Sequence, residues 1–381
     1  MAAMEKNNKT LNVPNLRFPE FSGEWVKVPF YKIATRVTRK NKNNESRLPL
    51  TISAQYGLVD QVTFFNKVVA SSDMSNYYLL HKGEFAYNKS YSGDYPWGAI
   101  KRLDRYDQGA LSSLYICFTP TDVIDSDFLV HYFESPKWHR EVSNIAGEGA
   151  RNHGLLNIAV PDFFNTQHCI TNNKTEQRKI ADFLNLINER IETQKKVIEK
   201  YESLIRGLCE KLTRQGYANK SINECLECHS FTLQESEVLD TGRYPVYGAI
   251  GVCGYTDTPD VSGDGILIIK DGASVGVTYF ADGCYSSIGT LNRLTAKQGI
   301  NLRYVYYCLK VMNFAPYKTG LAIPHIYFKD YGKHKIWCPS FEQQSRIADA
   351  LTSIDNKMHV EKSLLEQLNS QKRYVLKQLF I

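Results

Sequence analysis

The sequence predicts an α+β fold built as an internal repeat: two β-rich domains, each followed by one long helix, with the two helices packed on each other. Three observations lead there. A helical phrase is written twice, as TEQRKIADFLNLINERIETQKK at 175–196 and as FEQQSRIADALTSIDNKMHVEKS at 341–363. Each copy carries apolar residues in alternating steps of four and three, the pattern of a helix that packs on another helix. Between the copies the chain is punctuated by Gly and rich in Tyr, Phe, Val and Ile, the composition of strands and turns.

The repeat comes first because it organises everything else. A shift of 167 residues lays Gln177 on Gln344, Ile180 on Ile347, Asp182 on Asp349 and Arg206 on Arg373, and needs no gap through Leu212 and Leu379. The first seam runs through Ile180, Leu184, Ile187, Ile191, Ile198 and Ile205. The second runs through Ile347, Leu351, Ile354, Met358, Leu365 and Leu368. Forty residues at ~1.5 Å each make rods of about 60 Å. Polar residues interrupt the seams at Gln194, Glu361 and Lys372, as candidates for fixing register or as groups facing water. Gly207 costs about 1 kcal/mol against Ala, too little to break such a helix.

The intervening segments echo one another more faintly. RLPLTISAQYGLV (47–59) parallels RYPVYGAIGVCGY (243–255), and KGEFAYNKS (82–90) parallels SGDGILIIKDG (262–272). GALSSLY (109–115) parallels GCYSSIG (283–289), while DFLVHYF (127–133) and RYVYYCL (303–309) read as one short helix in each half. The expected division is a first domain over 1–170, a helix over 171–214, a second domain over 215–340 and a second helix over 341–381.

Composition narrows the functional classes. The 381 residues carry a net charge of +6, with 43% hydrophobic and 23% charged residues, enough to bury sizeable cores. The charge is spread evenly: +3 over 1–174, +2 over 175–214, zero over 215–340 and +1 over 341–381. Any contact with a polyanion is therefore local. No apolar run reaches the ~18 residues that span a bilayer. The N-terminal stretch lacks the apolar core of a signal peptide. A cytoplasmic location with nine reduced cysteines is the expectation.

Taken together, VPNLRFPEFSGEW (13–25), EQRKIADFL, YPVYGAIGVCGY, GLAIPHIYFKDY (320–331) and EQQSRIADAL resemble the specificity subunit of type I restriction-modification systems. The resemblance runs along nearly the whole chain; AIPHI lies in the second domain and has no sequence equivalent in the first. It implies two target-recognition domains, each reading one half of a bipartite, asymmetric site in double-stranded DNA. It implies that the helices pair as an antiparallel coiled coil, hold the spacer length constant and dock two methyltransferase subunits, with restriction subunits joining the full complex. It also implies a subunit without a catalytic centre, with S-adenosylmethionine, ATP and Mg on the partners.

Other chemistry finds little support. CLECH (225–229) matches a c-type haem attachment pattern, but the expected compartment does not suit it. Cys253, Cys284, Cys308 and Cys338 are too scattered for a zinc site. No phosphate-loop motif occurs, the Gly-x-Gly at 263–265 lacks its third Gly, and GEGARNHG (147–154) reads as a turn. A coiled-coil scaffold with two ligand-binding domains, or a nuclease or methyltransferase with its own site, are the rival classes.

For DNA contact the candidates are Lys and Arg that can neutralise phosphates, mixed with polar and aromatic groups that can reach bases. In the first domain these are Arg36, Arg39, Lys40, Lys42 and Arg47 in RVTRKNKNNESR, then Lys89, Tyr91, Lys101 and Arg102 in NKSYSGDYPWGAIKR. In the second they are Lys270, Ser274, Tyr285, Lys318 and Thr319. His325 in AIPHI reads as a packing residue, since a lone His has no partner for chemistry.

Overall fold

The computed structural model describes residues 11–147, 154–320 and 322–381. Residues 1–10, most of the expected turn at 147–154 and Leu321 of the GLAIPHI stretch lie outside them. The chain divides into two compact units, residues 1–192 with 366–381, and residues 193–365.

In the first unit the elements follow as β1 (Val26–Pro29), α1 (Phe30–Ile33), β2 (Ala34–Arg36), β3 (Pro49–Ser53), β4 (Gly57–Asp60), α2 (Gln61–Phe65), β5 (Tyr78–His81), β6 (Phe85–Asn88), β7 (Ala99–Arg102), β8 (Gln108–Leu111) and β9 (Ile116–Pro120). Then come α3 (Ser126–Glu134), α4 (His139–Ile145), α5 (Val160–Asn165), β10 (Gln167–Ile170) and the long α6 (Lys174–Thr213), which continues into the second unit. The second unit runs β11 (Lys220–Ser221), α7 (Ile222–Cys225), β12 (Leu226–Ser230), β13 (Tyr244–Gly248), β14 (Gly251–Thr256), β15 (Val261–Ser262), β16 (Gly265–Ile269), β17 (Thr278–Ala281), β18 (Cys284–Ser287) and β19 (Leu291–Ala296). It closes with α8 (Leu302–Lys310), α9 (Phe328–Tyr331), β20 (Lys335–Ile336) and the long α10 (Phe341–Leu379), whose last turns belong to the first unit.

The sheets repeat strand for strand. Order β2-β9-β6-β7 in the first unit matches β12-β19-β16-β17 in the second, and β4-β3-β8-β5 matches β14-β13-β18-β15. Even the parallel pair recurs, β3 with β8 and β13 with β18, in sheets otherwise antiparallel. A two-stranded ribbon ties each domain's first strand to its last, β1 to β10 and β11 to β20.

The central strands explain why the domains are two-layered. Side chains alternate across a strand, and β6 sends Phe85 and Tyr87 into one core while Ala86 enters another. In β16, Ile266 and Ile268 face one core and Leu267 and Ile269 the other. A run apolar at every position, GILII, is what burial on both faces requires. The larger core of each unit meets the long helices. In the first it holds Ile180 and Leu184 from the start of α6 with Val375 and Leu379 from the end of α10. In the second it holds Ile205 and Cys209 from the end of α6 with Ile347 and Leu351 from the start of α10. Start meets end in both units, so the helices pair antiparallel.

The expected seam residues lie on this inner face. Ile180, Leu184, Ile191, Ile198, Ile205, Ile347, Leu351, Met358 and Leu368 are buried, and Ile187, Ile354 and Leu365 are half-buried. The polar interruptions have partners. The Gln194 amide donates to the Glu361 carboxylate (2.5 Å) and backbone carbonyl (3.0 Å), and Lys372 is bound to Glu134 at 3.0 Å.

Candidate nucleic-acid interface

In the first unit, a loop between β2 and β3 is held by one buried side chain. Asn41, wholly enclosed, donates to Ser46 O (2.9 Å) and accepts from Ser46 N (2.8 Å). Asn44 accepts from Met74 N (2.8 Å), and Asn43 and Asn44 take φ of 56° and 52°. Asn tolerates that left-handed conformation better than most residues. The closed loop presents Lys42, Asn43 and Arg47 to solvent. Among the described residues, no carboxylate lies within ion-pair distance of Lys42 or Arg47.

The other expected cations of this stretch are engaged. Arg39 pairs with Glu84 at 2.7 Å. Lys40 donates to Asn76 O (2.8 Å) and sits 4.3 Å from the Tyr78 ring. Arg36, exposed at the end of β2, points to the Tyr78 hydroxyl at 3.4 Å. Arg36 and Lys40 thus converge on one aromatic ring.

The loop from Asn88 to Arg102 is more structural than its composition implied. Gly98 has φ +77°, and a Cβ there would lie 2.1 Å from Asn88 O, so only Gly closes the β6–β7 turn. Arg102 is occupied by Asp104 (2.6 Å), Asp127 (2.7 Å) and Ser126 (2.8 Å). Lys101 lines a cleft of about 530 Å³ with Glu134, Trp138, Lys372 and Arg373. Burial pulls its ammonium pKa down and the Glu134 carboxylate pulls the other way. Burial would raise the Glu134 carboxyl, yet the His131 hydrogen bond and the Lys372 charge outweigh it and hold it at about 2. Tyr91 stays exposed, its amide bonded to Gly154 O (2.9 Å).

Lys89 and Lys270 occupy equivalent places just past β6 and β16. The Lys89 carbonyl accepts from Leu156 N and the Lys270 carbonyl from Ile326 N, both at 2.9 Å. The bridge Ser90–Leu155 corresponds to Asp271–His325. The segment around 154–156 therefore does in the first unit what PHI does in the second. The counterpart missing from the sequence is present in space, because backbone bridges carry it and side-chain identity does not matter to them.

In the second unit Lys270, Lys318, Thr319 and His325 come together. Thr319 and His325 exchange backbone hydrogen bonds at 2.9 and 2.8 Å, and Gly320, with φ +88°, leaves no room for a Cβ against Ile323 O at 2.3 Å. Lys318, Thr319 and Ser274 are exposed and Lys270 is half-buried. Tyr285 corrects the expectation. It is fully buried in the inter-sheet core, its ring edge-on to Tyr247 and its hydroxyl accepting from Arg293 Nε at 3.1 Å. An alternating strand turns every second side chain inward, and Tyr285 falls on that side. Two positions escaped the sequence reading: Asn43 at the loop tip, and Arg293, which braces Asp264 O at 2.9 Å. Three Asn within four residues (Asn41, Asn43 and Asn44) of a basic stretch were the available signal for the first. Nothing marked the second.

Among the described residues, no group of three His, Cys, Asp or Glu could hold a metal ion, and no helix is long and apolar enough to cross a membrane.

Comparison with known proteins shows what this chain resembles. Residues 215–370 match the family model described as type I restriction modification DNA specificity domain. A Mycoplasma genitalium protein named as a type I specificity subunit is 26% identical over 247 residues, covering 59% of this chain and 64% of that protein. The MjaVIII type I specificity subunit of Methanocaldococcus jannaschii is 33% identical over 124 residues, covering 32% of this chain and 29% of that protein. The EcoprrI specificity subunit of Escherichia coli is 28% identical over 112 residues, or 29% and 28% of the two chains. The matched stretches thus span less than two thirds of each relative's length. Among solved structures, a type I system S subunit from M. genitalium aligns with a TM-score of 0.61 at 21% identity, covering 97% of this chain and 99% of that one. A chain from a study of type I complex assembly aligns at 0.56 and 15% identity, covering 93% and 97%. These likenesses establish the shared fold.

Proposed function

We propose that this chain, which is similar to type I specificity subunits and matches their DNA specificity domain over residues 215–370, is the DNA sequence-recognition subunit of a type I restriction-modification complex. Recognition domains over 1–170 and 215–340 each read one half of a bipartite, asymmetric site. The helices at 171–214 and 341–381 set the spacer between the halves and dock two methyltransferase subunits. Restriction subunits complete the assembly in the cytoplasm. The chain is non-catalytic, and S-adenosylmethionine, ATP and Mg belong to its partners.

The observation that carries this reading is the strand-for-strand duplication of a domain fastened to a duplicated helix, with different exposed loops in the two copies. Identical frames with different loops suit one job done on two different sequences. Lys42, Arg47, Lys89 and Tyr91 in the first domain, and Lys270, Ser274, Lys318 and Thr319 in the second, are the contacts we assign to DNA. Lys42 and Arg47, with no carboxylate within ion-pair distance among the described residues, neutralise phosphates without first breaking an internal pair.

The test is a genome-wide map of methylated adenines in cells with and without the chain, partners present in both. A split motif that appears only with the chain is the expected result. An unchanged map would overturn the reading.

A further inference from the structure

We infer that Gln177 and Gln344 are positioning residues that fix the angle of each recognition domain on its long helix, and so set how strictly spacer length is read. The inference rests on the function proposed above. The two residues are equivalent in the repeat, each the fourth residue of its long helix, and at 0% and 1% exposure both are wholly buried.

Each side chain ties three segments together. The Gln177 carbonyl accepts from Asp125 N (2.6 Å), the residue that caps α3, and its amide donates to Thr171 O (2.7 Å) and Val123 O (3.3 Å). The Gln344 carbonyl accepts from Asn301 N (2.9 Å), which caps α8, and its amide donates to Pro339 O (2.8 Å). Accepting and donating from one planar group at this reach is a property of the Gln amide; Glu lacks the donors and Leu lacks both.

The next joint along each short helix shows that this one is special. His131 meets Asn185 at 2.9 Å, where the equivalent pair is Tyr307 and Thr352 at 3.1 Å. That joint keeps its place and changes its chemistry, while the glutamine joint keeps both. It is also the joint nearest the point where the chain leaves the domain for the helix, where a small rotation moves the far loops most. The short helices pack on β7 and β17, so a tilt of α3 or α8 reaches the sheets whose central strands end just before Lys89 and Lys270. One base pair is ~3.4 Å of DNA axis, so a few ångströms of slack at those loops is one step of spacer.

The experiment expresses the full chain with its methyltransferase partners and maps methylated sites for wild type, Gln177→Leu, Gln344→Leu and Gln177→Glu. Both half-sites should be retained, and sites whose spacer is one base pair longer or shorter should gain methylation at least ten-fold over wild type. Equal loss at every spacer length, or an unchanged spacer spectrum, would mean that the glutamines only stabilise the fold, and overturns the inference. If Gln177→Leu is insoluble, Asn185→Ala loosens the same helix at its next joint and is judged by the same outcomes. A wild-type chain that directs no split motif at all overturns the proposed function and this inference with it, a result distinct from a strict motif unmoved by the variants.

Discussion

His168 shows how one side chain can be read in full. It is buried on β10 between the Tyr132 hydroxyl and Thr166 Oγ1, each 2.8 Å from a ring nitrogen. Thr166 already donates to Phe163 O (2.6 Å), so it accepts from His168 Nε2–H, and Tyr132 donates to Nδ1. Both nitrogens are satisfied by the neutral ring, and burial takes the pKa down to about 3. The unfolded chain takes up its proton near ~6.5. A group whose folded pKa is depressed in this way contributes fully above that pH, and the contribution is lost as the pH falls toward 3. Between pH 7 and pH 5 the first unit should lose about 2 kcal/mol through this residue. Denaturant melts at both pH values should show that loss in the wild type and not in His168→Gln. The same scale separates the candidate cations. Arg102 is consumed by two carboxylates, so Arg102→Ala should lower stability. Lys42→Ala should leave stability within ~0.5 kcal/mol and reduce the salt dependence of DNA binding by a slope of about 0.9. A salt slope unmoved by Lys42→Ala would remove that residue from the interface.

At the scale of the element, strands and helices announced themselves through different signals. The long helices were legible because a heptad seam sustained over some forty residues is buried only by a partner helix of matching length. The short helices α3 and α8 were legible from their place in the repeat. The central strands were visible as apolar runs, but which residue faces which core is fixed by register, and Tyr285 fell to the inside. Gln194 and Glu361, 167 residues apart in the repeat, bind each other across the antiparallel pair. Inserting one heptad into each helix should lengthen the pair by ~10 Å, about three base pairs at ~3.4 Å each. The methylated motif should then keep both half-sites and widen its spacer. Altered half-sites in the motif map would refute a spacer role for these helices.

Over the whole molecule, duplication extends from helix phrase to strand order to individual hydrogen bonds, and each copy keeps its own surface. Replacing residues 1–160 by the corresponding domain of another such chain should change one half of the methylated motif and leave the other untouched; a change in both halves would show that the domains do not read separately. The sequence by itself determined the repeat, the long helices and the α+β class, because these follow from periodicity and composition, which are local in the chain. Tertiary structure alone decided that 154–156 stands in for PHI, that Arg102 is paired with Asp104 and Asp127 and Lys101 lines a cleft beside Glu134, that Tyr285 is core, and that Gln177 and Gln344 join domain to helix. Each of those depends on which backbone amide, carboxylate or ring a distant segment brings within about 3 Å, and such distances are written only when the chain closes on itself.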